Sequence, residues 1–117
     1  MAENDEKYLT DMEMITCVVQ RGKAELVVSA AMRAGAGGAT INFARGTGVR
    51  EKLGLLGIAI DPEKEVISIV TYKDDTRKIF DAIVYAAHLD TPGMGFAYVT
   101  PLSLVAGLPK KSSKKSN

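Results

Sequence analysis

The chain of 117 residues has no tryptophan, one cysteine and one histidine. The single Cys17 excludes an internal disulfide and a thiolate zinc cluster. The single His88 excludes a site built from several imidazoles, so no metal site is expected. Without tryptophan, and without a strand interleaving basic and aromatic residues, there is no stacking platform for single-stranded nucleic acid. The net charge is only +1, too little for a nucleic-acid surface. No apolar run is long enough to span a bilayer. Met1 to Lys7 are acidic and polar rather than signal-like, so a cytoplasmic location is expected. No Ser-His-Asp or paired-carboxylate arrangement is present. No catalytic residue is assigned, and an enzyme is not expected. His88 falls at a helix end, a structural position, and Cys17 sits mid-strand, where it reads as core packing.

What is present describes one globular domain, with 46% apolar and 25% charged residues. Charge is uneven. Residues 1 to 13 carry Glu3, Asp5, Glu6, Asp11 and Glu13 against Lys7 alone, while Lys110, Lys111, Lys114 and Lys115 stand among serines at the end. The domain is placed at 13–108, with 1–12 and 109–117 expected to be flexible tails.

Within the domain the hydrophobic period switches repeatedly. Met14 to Gln20 is a short β-branched run and predicts a buried strand. After Arg21-Gly22, Val27, Ala30, Ala31 and Ala34 recur at helical spacing and stop at Gly35. Thr40 to Arg45 alternates, with Ile41 and Phe43 on one side, and predicts a half-buried strand. Glu65 to Tyr72 predicts a third strand. Asp74-Asp75-Thr76 offers an N-cap, followed by a stripe of Ile79, Phe80, Ile83, Val84 and Ala87. Asp90 to Gly95 is a glycine turn. Phe96 to Thr100 predicts a fourth strand, stopped by Pro101. The order βαββαβ predicts an α+β, ferredoxin-like sandwich: an antiparallel four-stranded sheet with two helices on one face. The other sheet face, carrying Thr16 and Val18, would be left to self-association.

Gly46-Thr47-Gly48, at the end of the second strand, is either an ordinary tight turn or a place where bare backbone approaches an anion. Gly93 and Gly95 make a similar turn before the fourth strand, and the two turns are expected to be brought to one edge by adjacent strands. Lys64 reads equally as a solvated strand-end lysine and as a point charge for a phosphate. Residues 49 to 63 carry Leu53, Leu55, Leu56, Ile58 and Ile60 beside Gly54 and Gly57, which is not the composition of a solvated loop.

These segments, in this order, resemble the PII-like nitrogen regulatory proteins. The resemblance rests on Gly38-Ala39-Thr40-Ile41 through Gly46-Thr47-Gly48, on Val66 to Val70, on Asp81 to Ala87, and on Gly93-Met94-Gly95-Phe96-Ala97-Tyr98-Val99. It implies a homotrimeric signal-transduction protein with a nucleotide site in each cleft between neighbours. It implies ligand-binding roles for Thr40, Gly46, Thr47, Gly48, Lys64, Val70, Gly93 and Gly95. It also implies that the loop 49–63 contacts a target protein, a transporter or an enzyme. The candidate ligands are ATP, ADP, AMP or another small anion.

Three positions depart from the family pattern. Phe96, Gly107 and Pro109 stand where the family has cationic residues. Losing such contacts costs several kcal/mol at about 1.5–3 kcal/mol each, which weakens the expectation of tight ATP binding. Arg45 and Arg50 flank the glycine turn and are candidates to compensate. The loop holds no tyrosine to modify. It either packs on its own trimer or covers a patch that a partner exposes. Two other ferredoxin-like readings stand beside this one: a CutA-like metal-tolerance trimer, and a small acylphosphatase-type enzyme. The latter needs a phosphate loop after the first strand, where Gln20-Arg21-Gly22-Lys23 is too short.

Overall fold

A computed structural model describes residues 8–46 and 63–109. In chain order it has β1 (Tyr8–Leu9), β2 (Met12–Gln20), α1 (Ala24–Arg33), β3 (Thr40–Arg45), β4 (Glu63–Tyr72), α2 (Lys73–Ala87), β5 (Gly95–Leu102) and β6 (Val105–Ala106). The main sheet runs β3-β4-β2-β5 with every pair antiparallel. Each βαβ crossover skips one strand, which gives its helix room to lie on the sheet. This is the expected ferredoxin-like α+β sandwich.

Alternation along β2 and β4 builds the core. Ile15, Cys17 and Val19 from β2 meet Ile67 and Ile69 from β4 beneath Val27 and Ala31 of α1 and Ile79, Ile83 and Ala87 of α2. Each fully buried Ile or Val contributes roughly 1.5–3 kcal/mol. The alanines on α1 keep that helix close to the sheet. Its first turn has no side-chain cap from Lys23. Instead the Glu65 carboxylate, on β4, accepts the Ala24 N–H at 2.7 Å.

Several local expectations are corrected. β3 is not half-buried: all six of its residues are exposed, and Phe43 is 76% exposed. It is an edge strand, and the helices pack over β2 and β4. Asp74 and Asp75 do not cap α2, which already begins at Lys73; they lie in its first turn, where the helix dipole favours them. Thr76 is buried, hydrogen-bonded to the Tyr72 carbonyl and sharing a 2.6 Å bond with Thr71 Oγ1. Pro101 does not stop β5, which continues to Leu102. An edge strand tolerates proline because one side of its backbone needs no ladder partner. Order also begins before residue 13. Met12 is buried, and Tyr8–Leu9 pairs with Val105–Ala106 as a separate two-stranded ribbon.

The sheet face away from the helices carries Thr16 and Val18 of β2, Val66, Ser68 and Val70 of β4, and Phe96 and Tyr98 of β5. Phe96 and Tyr98 are 56% and 48% exposed, with stacked rings 6.2 Å apart.

His88, the C-cap of α2, has φ 54° and ψ 47°. That left-handed conformation strains any residue with a Cβ. His88→Gly is therefore expected to raise stability by about 0.5–1 kcal/mol, measured as a higher urea midpoint at unchanged slope. A lower midpoint would show that the imidazole makes a compensating contact.

Burial pushes the Cys17 thiol up from 9.0 to about 11. In the unfolded chain the thiol ionises from about pH 9, whereas in the folded chain it stays neutral. Its contribution is full below pH 9 and is lost as the pH rises towards 11, by roughly 2–3 kcal/mol. The stability difference between the parent and Cys17→Ala should shrink over that window. A difference that stays flat from pH 8 to 11 would refute this.

Candidate functional site

Antiparallel pairing collects one set of side chains at one end of the sheet. Arg45, at the end of β3, pairs with Glu63 at the start of β4, and Lys64 pairs with Gln20 at the end of β2. Gly46 follows Arg45, and Gly93 and Gly95 precede and open β5 at this same end. Glu63 receives Arg21 at 3.5 Å and Arg45 at 3.4 Å. All three are well exposed, so each pair is worth under about 1 kcal/mol. Lys64 Nζ donates to Gln20 Oε1 at 3.5 Å, and Gln20 Nε2 donates to the Gly93 carbonyl at 3.1 Å. The cluster thus brings Lys64 and Gly93, two predicted ligand residues, into one hydrogen-bonded chain through Gln20.

The two glycine turns, expected on adjacent strands, are not neighbours. β3 and β5 are the two outer strands, so Gly46 and Gly93 share an end of the sheet but lie on opposite edges. Three strand spacings, about 14 Å, separate them.

The remaining predicted residues lie elsewhere. Thr40 and Val70 line a cavity of about 430 Å³. It forms because β3 pairs with β4 only as far as Ser68, leaving one edge of Ile69 to Tyr72 uncovered. The segment Gly35 to Ala39, together with Leu108 and Pro109, forms further walls. The Tyr72 hydroxyl donates to the Pro109 carbonyl and holds that segment in place. Among the described residues Asp75 is the only charged one in the lining, and the rest of that lining offers apolar and hydroxyl contacts. Six residues along β3 or β4, about 20 Å, separate it from the cationic end.

Thr47 and Gly48 lie outside the described residues, as do Arg50 and all of the loop 49–63 except Glu63. Gln20, Arg21 and Glu63 were absent from the sequence-derived set. The only available signal for Gln20 was a polar residue closing an otherwise apolar strand. Gly95 belongs to the fold as much as to any ligand: its φ is +133°, and a Cβ there would lie 2.2 Å from the Val18 carbonyl oxygen. Gly93, by contrast, has open space around it. Among the described residues no cluster of three or more His, Cys, Asp or Glu could hold a metal. No helix among them is long and apolar enough to cross a membrane.

A ferredoxin-like domain with a glycine-turn cation cluster at one end of its sheet and a largely apolar cavity at the other defines the class. The family described as "Nitrogen regulatory protein P-II" matches residues 12–111, and the chain belongs to that family. That decides against the CutA-like and acylphosphatase-type readings. The chain is similar in fold to the crystal structure of Arabidopsis thaliana PII bound to citrate. The TM-score is 0.60, identity is 22%, and 80% of this chain and 79% of that one are covered. No curated protein matches by sequence.

Proposed function

We propose that this P-II family member is a homotrimeric signalling protein rather than an enzyme. It binds a small anionic ligand, an adenine nucleotide foremost, in clefts between protomers. Occupancy is passed to a target protein through residues 49–63.

The observation that carries this reading is the split of the candidate ligand residues. Thr40 and Val70 line a largely apolar cavity suited to a base. Lys64, Gly46 and Gly93 lie with Arg21 and Arg45 at the other end of the sheet, where phosphate or carboxylate oxygens would be met by cations and bare backbone. One ligand meets both chemistries most directly where the cavity of one protomer faces the cationic end of its neighbour. A trimer also covers the face bearing Phe96 and Tyr98.

Phe96, Gly107 and Pro109 stand where the family has cations, so a mono- or diphosphate is favoured over a triphosphate. The relative of known structure was bound to citrate, which makes a small polycarboxylate a reasonable competitor.

A thermal-shift series with ATP, ADP, AMP, citrate, 2-oxoglutarate and bicarbonate tests the reading. At a hundred times its Kd, a ligand adds about 2.7 kcal/mol to stability. For a domain of this size that is a shift of roughly 10 °C. ADP or AMP is expected to give the largest shift, reduced in Lys64→Met. No shift with any of the six would sink the ligand-sensor reading.

A further inference from the structure

We infer that Gln20 is a positioning residue that ties Lys64 to the Gly93 turn, so that the two halves of the anion-binding end act as one unit. The inference rests on the ligand reading above for its use, but not for its geometry.

Gln20 closes β2, between β4 on one side and β5 on the other. Its carboxamide therefore reaches both neighbours. Lys64 carries only donors and the Gly93 carbonyl only accepts. A single orientation of the amide satisfies both, with Oε1 towards Lys64 and Nε2 towards Gly93. No other residue type of this length offers one acceptor and one donor in that arrangement. Glutamate would hold Lys64 but repel the carbonyl. Lysine would do the reverse.

The two contacts differ in strength. The bond to Gly93, at 3.1 Å, is ordinary, whereas the Lys64 contact, at 3.5 Å, is long for a charged donor. An anion oxygen at normal charge-assisted distance competes with Gln20 Oε1 for the ammonium. When the amide gives up its contact with Lys64, the turn feels the loss across β2.

The reporter is the Met94 amide, which donates to the Thr91 carbonyl inside the turn. Its hydrogen-exchange rate, in the full-length unliganded protein, is compared in the parent, Gln20→Leu, Gln20→Glu, Lys64→Met and the Gln20→Leu/Lys64→Met double variant. Exchange is expected to quicken by about threefold or more in each single variant, with the double no faster than Gln20→Leu alone. Unchanged exchange in Gln20→Leu, or in Lys64→Met, would overturn the inference, as would strictly additive effects.

ADP binding to the same proteins, by calorimetry, provides the second readout. Gln20→Glu should bind ADP more weakly than Gln20→Leu, because its carboxylate neutralises Lys64. Equal affinities would mean that Gln20 only supports the fold. If ADP binds none of the proteins while the exchange pattern holds, the ligand reading fails and the role of Gln20 stands.

Discussion

Gly95→Ala is expected to destabilise the protein by roughly 3–5 kcal/mol, enough to unfold a marginal domain. Two independent causes act together. The φ of +133° is one that residues with a Cβ rarely adopt. The added methyl would also stand 2.2 Å from the Val18 carbonyl oxygen and 3.2 Å from Val19 Cα. Both atoms are backbone of β2, an inner strand held on both sides, and cannot shift cheaply. Gly93→Ala is the control. Its φ is +87°, with nothing within 4 Å of the added atom, so about 1–2 kcal/mol is expected. Urea midpoints of the two variants provide the measurement. Similar losses at both positions would show that the clash at Gly95 is relieved by local movement.

Tyr98→Asp is expected to leave the protomer folded and to abolish its assembly. Tyr98 is 48% exposed and, among the described residues, stacks on Phe96, itself 56% exposed, so the isolated protomer loses little. In an assembly that covers this face, an unpaired carboxylate is buried once per protomer, at a cost of several kcal/mol each. Light scattering should give the mass of three chains for the parent and of one for the variant, with unchanged helical circular dichroism. A variant that keeps the parent's mass would place the contact on another surface.

How much of this was legible in the residues depends on what kind of pattern each element carries. Val27, Ala30 and Ala31 repeat at helical spacing because a helix resting on a sheet buries one stripe. Ile79, Ile83 and Ala87 do the same. The central strands announced themselves by β-branched runs, since they are buried on the helix side and flanked on both edges. β3 misled for the converse reason. Ile41 and Phe43 alternate like core residues, yet the strand lies beyond the reach of either helix, and nothing local records strand order. The same ignorance of order made the two glycine turns look adjacent. The β1–β6 ribbon is two residues per strand, too short for any period. The glycine turns and Lys64 were visible as chemistry. Gln20 was not, because its role depends on which strands flank β2.

The carboxylate of Glu65 on the Ala24 N–H, 41 positions apart in the chain, ties the start of α1 to a strand made much later. The first β-α-β unit is therefore not a self-sufficient folding unit. Until β4 has docked, the first turn of α1 lacks its acceptor and frays. The closing of α1 and the insertion of β4 between β2 and β3 then belong to one cooperative step. Synthesis from the ribosome reaches that step only after the whole of residues 47–62 has emerged. A long insertion there would delay folding of the helix that precedes it while leaving the stability of the finished domain almost unchanged, because loop-closure entropy grows only slowly with length.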